Sequence, residues 1–174
     1  VYGALTVFPI ASMARDHFGK GAAVLAAWLI AFMPAHVTHS TWALADHDAF
    51  VMLFISIGFM YWLRAVKYAG SARLTKTTTP HPLSFVRAFH DVAEQRKAAM
   101  ANAALAGVAF GIVALGWKGF VVGPSILFLA YALQVALNMF RRRDSTVLSV
   151  MFLVMLTTTF LMALPFYAHP QLNL

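Results

Sequence analysis

Six apolar runs dominate the chain: Val1 to Ala14, Gly21 to Val37, Ala49 to about Leu63, Ala98 to Gly116, Val121 to Phe140 and Thr146 to Leu164. A hydrocarbon core of about 30 Å needs roughly 17 to 25 helical residues to cross it. None of the runs alternates apolar and polar positions as a membrane β-strand does, and helices or closed barrels alone satisfy the backbone in lipid. The pattern therefore predicts an all-α, polytopic transmembrane helical bundle of about six spans, with residues 1–174 forming part of one transmembrane domain. The first run contains Pro9 and is short for a crossing, so it reads as a truncated span of a longer chain.

The polar breaks differ in character. Arg15-Asp-His-Phe-Gly-Lys20 is a compact turn punctuated by glycine, and Arg141-Arg-Arg-Asp144 ends the fifth run. Lys67 to Lys97 is the one long polar region, predicted as a cytoplasmic loop. Its Thr77-Thr-Thr-Pro-His-Pro82 is an extended linker, because paired prolines hold the preceding residues out of the α region. Beyond it, Phe85, Phe89, Val92 and Ala93 recur at helical spacing while Arg87, Asp91, Glu94 and Arg96 take other faces. That spacing fits an amphipathic helix on the membrane surface, and a solvated connector fits equally well.

Composition agrees with the pattern. At 61% hydrophobic and 11% charged the chain falls far below the charge content of soluble domains, about a quarter. With no cysteine, disulfides and thiolate metal sites are excluded. A net charge of +7 raises the question of nucleic acid, but the basic residues gather in alternate loops: Arg15 and Lys20, then Arg64 to Lys97, then Arg141 to Arg143. The positive-inside rule accounts for that distribution, so no nucleic-acid partner is expected. The loop 38–48 carries no Lys or Arg and is thereby placed on the outer face of the cell membrane.

In that loop lies the candidate chemistry, His39-Ser-Thr-Trp-Ala-Leu-Ala-Asp-His-Asp48. Asp46 and Asp48 are two positions apart and share a direction in extended backbone. At about 6 Å and an effective dielectric near 20 their repulsion is roughly 3 kcal/mol, which favours a bound cation or proton. Carboxylate oxygens suit Mg2+ or Mn2+, and the neighbouring His47, His39 and His36 tilt the choice toward Mn2+ or Zn2+. A competing structural reading is as concrete: an acid just before the Ala49 run caps the amides at a helix start. His36, near the end of a helix, is expected to bond a backbone carbonyl. Lys118, in the short outer turn Trp117-Lys-Gly-Phe120, either contacts a lipid phosphate or snorkels to the interface. Arg141 to Arg143 are expected to set topology, with attraction for anionic lipid as a consequence.

The order helix, small or polar turn, Ser40-Thr41, then Asp46-His47-Asp48, then helix resembles the catalytic subunits of oligosaccharyltransferases, especially the archaeal single-subunit enzymes. Gly116-Trp-Lys-Gly-Phe120 before a long apolar helix is similar to the Trp-x-Gly-aromatic turn of that family, and the basic turn and Ala-rich helix ahead of the acids fit it too. The resemblance implies part of a GT-C type glycosyltransferase that moves an oligosaccharide from a polyprenyl-phosphate-linked donor to Asn in Asn-x-Ser/Thr acceptor polypeptides, using Mn2+ or Mg2+. It implies that Asp46 and Asp48 bind the cation and act in catalysis, with His47 beside them and His39, Trp117 and Lys118 as substrate contacts. His39 stands where the family usually has Arg, and Ala43 where it usually has Gly. The family's earlier acidic motif, later external-loop Glu and C-terminal sequon-binding domain lie outside this chain, so the chain by itself is expected to be inactive. Two other readings are another lipid-sugar-dependent GT-C enzyme, such as a protein O-mannosyltransferase, and an ion-coupled transporter.

Overall fold

In the computed structural model the described residues are 2–40, 48–70, 90, 94 and 96–168. They form seven α-helices and no strand: α1 (Tyr2–Phe18), α2 (Lys20–Phe32), α3 (Pro34–Ser40), α4 (Asp48–Gly70), α5 (Lys97–Gly116), α6 (Val122–Phe140) and α7 (Thr146–Ala168). A 3-10 turn, Lys118–Val121, leads into α6. Among the described residues, four segments are long and apolar enough to cross a membrane: α4, α5, the 3-10 turn with α6, and α7. The chain is accordingly an integral membrane protein.

The expected count of about six is not reached on length. Helix α1 has 17 residues, and the second run is divided, with α2 ending after 13 residues and α3 restarting at Pro34. The physical reason is Pro34: it has no N–H to continue α2 and sits well at the first position of a new helix, with Met33 extended before it at ψ 117. The third run is longer than the hydropathy pattern indicates. α4 continues past Arg64 to Gly70, because Arg64 and Lys67 find partners on α1 instead of ending the helix.

Side-chain contacts fix the directions of the helices. Tyr2 meets Phe50 edge-on at 5.6 Å, and Arg64 Nε donates to Asp16 Oδ2 at 2.7 Å, so α1 and α4 run parallel. Arg96 at the start of α5 donates to the Ala69 carbonyl at the end of α4, and Gly116 at the other end abuts the Phe50 ring, so α5 runs back. α7 runs parallel to α5, while α6 descends beside α7, where Tyr131 stacks on Phe152 at 4.5 Å.

α5 is the centre of the bundle, packed between α4 and α7. It is apolar on all sides and rich in alanine and glycine, and Ala99, Ala103, Ala106, Gly107, Phe110, Gly111, Val113 and Ala114 are all buried. Helices in lipid gain little from hydrophobic burial against one another, so small residues that let backbones approach closely drive the association. At Gly107 an added Cβ would lie 2.5 Å from the Met155 carbonyl oxygen, and Thr159 Oγ1 donates to the Gly107 carbonyl at 3.2 Å across the same seam. The fully buried Phe110 ring is received by two notches, since a Cβ at Gly58 on α4 or Gly123 on α6 would each come within 2.7 Å of it.

Candidate functional site

The helix directions sort the ends of the bundle by charge. One end holds Arg15, Asp16, Lys20, Arg64, Lys67, Arg96, Lys97, Arg141 to Arg143 and Asp144. At the other end the described charged residues are Asp48 and Lys118. Asp48 is thus the one acid among the described residues at its end of the bundle.

Asp48 is half-buried and opens α4, with its carboxylate on the first turn, where aligned peptide dipoles favour negative charge. That is where the capping reading expects an acid, and it is also a place from which a half-exposed carboxylate reaches solvent. Two residues on, Phe50 fixes the surroundings. Its ring packs edge-on to Tyr2 of α1, lies 4.8 Å from Phe54, and presses on Gly116 of α5, where a Cβ would lie 3.1 Å from Cε1.

Gly116 leads directly into Trp117 and Lys118. The structure thereby sets the turn after α5 at the same end of the bundle as Asp48, although 69 positions in sequence separate Asp48 from Trp117. Trp117 is extended at φ −149, ψ 123, and its N–H closes α5 on the Val113 carbonyl at 2.9 Å. Gly119 explains the Trp-x-Gly spacing: a side chain there would collide with the Trp117 indole. Phe120 beyond it packs on Tyr167 of α7 at 5.7 Å, tying the last helix to the same end. Lys118 is exposed at the start of the 3-10 turn.

His36 does what a helix-end histidine is expected to do, meeting the Gly3 carbonyl of α1 at 3.0 Å through Nε2. His39 belongs to α3, with its side chain outside what is described, and Asp46 and His47 lie outside the described residues. Among the described residues no three His, Cys, Asp or Glu side chains gather as a metal site. Asp48 is the one described carboxylate at this end, a hard oxygen donor of the kind divalent cations take, and by itself it does not make a metal site. The hydropathy pattern does not foretell the aromatic floor of Tyr2 and Phe50, because nothing in spacing pairs residues on separate helices.

At the opposite end, Asp16 lies past the apolar stretch of α1. The hydrogen bond from Arg64, reinforced by the charges of Arg64, Arg15 and Lys67, holds its carboxyl below the ordinary carboxylate range despite some desolvation. Lys67 Nζ adds a bond to the Asp16 carbonyl at 2.6 Å. These contacts clamp α1 to α4 and hold Tyr2 over Phe50 at the far end.

The chain matches the family described as oligosaccharyl transferase STT3, N-terminal, over residues 1–172. A curated relative, dolichyl-phosphooligosaccharide-protein glycotransferase 3 of Archaeoglobus fulgidus, is 30% identical over 158 residues, covering 87% of this chain and 16% of the relative. The chain thus spans 16% of the length of the curated relative it matches. No solved structure matches it significantly. With a family match that takes in both the Asp48 helix start and the Trp117 turn it meets, the chain belongs to the oligosaccharyl transferase STT3 family.

Proposed function

We propose that this chain forms the region of an oligosaccharyltransferase membrane core that receives a polyprenyl-phosphate-linked oligosaccharide and the Asn of an Asn-x-Ser/Thr acceptor. The observation that carries the reading is the meeting of the Asp48 helix start with the Gly116-Trp117-Lys118 turn, at an end of the bundle otherwise cleared of charge among the described residues. The distribution of Lys and Arg at the opposite end supports an outward orientation for Asp48 in the cell membrane. The name of the Archaeoglobus relative, a glycotransferase from dolichyl-linked oligosaccharide to protein, supports the donor and acceptor classes.

In the transfer, the acceptor amide nitrogen bonds to the anomeric carbon, the bond from that carbon to the lipid phosphate oxygen breaks, and one amide proton passes to a carboxylate beside it and on to water. Asp48, and Asp46 two residues before it, accept hydrogen bonds from the amide N–H groups and orient a nitrogen that is otherwise a poor nucleophile. Lys118 presents positive charge toward the departing phosphate, and Trp117 forms an apolar wall beside it. His39 takes the position of the family's usual Arg and serves the phosphate when protonated. Asp46 and Asp48, with His47 adjacent, would hold Mn2+ or Mg2+, which would supply charge neutralisation for the leaving phosphate.

The transporter reading fares worse, since the middles of the four described spans carry no charged residue to hold a coupling ion. The test uses the full-length protein, MnCl2, a lipid-linked oligosaccharide and a fluorescent Asn-x-Thr peptide. Asp48→Asn keeps the helix start but removes the charge, and should lower kcat/KM about a hundredfold or more, the scale of a lost electrostatic stabiliser. Asp48→Asn with undiminished activity would overturn the assignment. Transfer to a peptide containing Ser and Thr but no Asn would move the chain to the O-glycosylating class.

A further inference from the structure

The basic end contains a cleft that the site above does not use. It lies between α4 and α6, has a volume of about 810 Å³, and is closed at its inner margin by the start of α7. Its lining changes along the bundle axis toward the basic end. Trp62, Val66 and Ala130 form an apolar portion, Gln134 and Asn138 a polar one, and Arg96 and Arg143 line it at the basic end.

The polar portion is unusual for a spanning helix. Tyr131, Gln134 and Asn138 recur at three- and four-residue spacing, so they share one face of α6, and that face lines the cleft. Tyr131 bonds Ser149 Oγ at 2.9 Å, and the Gln134 amide donates to Asn138, which donates in turn to Ser145 Oγ at 3.0 Å. Polar groups in a membrane span ordinarily face a protein interior or a cavity that uses them.

The charge at that end of the cleft is cationic. Arg96 is only 7% exposed yet borders the cleft, and its guanidinium donates to the Ala69 carbonyl. Arg143 also lines the cleft, with Arg141 and Arg142 just before it in the chain, and none of the three forms an ion pair among the described residues. They are presented by a tight helix end: Arg142 adopts φ 51, its N–H returns to the Met139 carbonyl, and the Arg143 N–H returns to the Asn138 carbonyl at 2.8 Å. Asp144 also borders the cleft, but its Oδ1 already accepts from Thr146 N at 2.8 Å and from Thr146 Oγ1 at 2.6 Å.

From this gradient we propose that the cleft is a binding site for an anionic phospholipid. The headgroup phosphate lies between Arg143 and Arg96, the glycerol ester region lies against Gln134 and Asn138, and an acyl chain runs over Trp62, Val66 and Ala130. Charge complementarity selects this occupant: a zwitterionic lipid brings a cation to an end already lined by arginines, whereas phosphatidylglycerol does not. Basic pockets between membrane helices on the positive side bind acidic headgroups by this logic. The site is at the end of the bundle away from Asp48 and is independent of the glycosyltransfer reading.

The full-length protein is purified, exchanged into mixed micelles containing equal phosphatidylglycerol and phosphatidylcholine, and the retained lipid is counted by native mass spectrometry. Thermal unfolding with each lipid added separately gives a second readout. Phosphatidylglycerol should be retained about tenfold over phosphatidylcholine and should raise the unfolding midpoint, while inorganic phosphate should do neither. Arg143→Gln should weaken retention about fivefold, the expected effect of one interfacial basic residue. Ala130→Trp, which fills the apolar portion without altering charge, should abolish it. Lys20→Gln, a charge removed at the same end outside the cleft, should leave retention unchanged. Equal retention of the two lipids would overturn the proposal, as would equal loss in Lys20→Gln and Arg143→Gln, or full retention in Ala130→Trp. So would a crosslink from position 130 to another segment of the chain showing that protein fills the cleft.

Discussion

Adding one methyl group at Gly107 should push α5 and α7 apart. A Cβ there would stand 2.5 Å from the Met155 carbonyl oxygen and 2.7 Å from the Thr158 Cβ, and the first of these neighbours is backbone that no rotamer change can move. Restoring a tolerable 3.0 Å requires the two helices to separate by about half an ångström. The Thr159 hydroxyl already reaches Gly107 at 3.2 Å while bonding Met155 at 2.9 Å, so the interhelical branch is lost and the local one remains. Overpacking of this kind costs about 1–3 kcal/mol, and an interhelical hydrogen bond in a membrane protein about 0.6. Alanine's better helix propensity returns about 1 kcal/mol, which leaves Gly107→Ala destabilised by about 0.6–2.6 kcal/mol. Gly21→Ala is the matched control: its Cβ meets nothing within 4 Å, so the propensity gain should appear alone. Reversible unfolding in mixed dodecyl sulfate micelles, followed by tryptophan fluorescence, compares the two. A Gly107→Ala protein as stable as wild type would refute the close-packed seam as the organising contact of the bundle.

Phe110→Ala empties the space between Gly58 and Gly123, and should cost about 3–5 kcal/mol in the same unfolding experiment, the range for large buried aromatics. The Asp16–Arg64 contact makes a pH prediction. Because Asp16 has a depressed pKa when folded, its contribution is fully present above the ordinary carboxylate range and is lost as the pH falls through the lower, folded value. A titration of stability in acid should therefore show a steeper decline for wild type than for Asp16→Asn, and coincident curves would contradict the clamp. Arg142 adopts left-handed geometry that glycine enters without penalty, so Arg142→Gly should raise stability by about 1 kcal/mol, read from the unfolding midpoint.

The pattern along the chain was enough to determine that this is a helical membrane protein, where four of its spans run, and which end of the bundle carries the positive charge. Those features follow from local physics: backbone groups in hydrocarbon must pair within the helix, and arginine and lysine are excluded from it. The acid at the start of α4 and the Trp-x-Gly turn were likewise legible, because each is a short, contiguous motif whose residue types are demanded locally. Two elements departed from the pattern. Pro34 divides the second run where the average hydropathy does not change, and α4 outlasts its apolar stretch because Arg64 and Lys67 are satisfied by Asp16, 48 or more positions earlier. Tertiary structure alone decided what meets across distance. Gly116 against Phe50 brings the Trp117 turn to the Asp48 end, Phe110 fits notches on two other helices, and Arg96 lines the same cleft as the polar stripe of α6. Contacts of that kind depend on which small residues allow two backbones to approach, a property of paired surfaces that no single stretch of sequence contains.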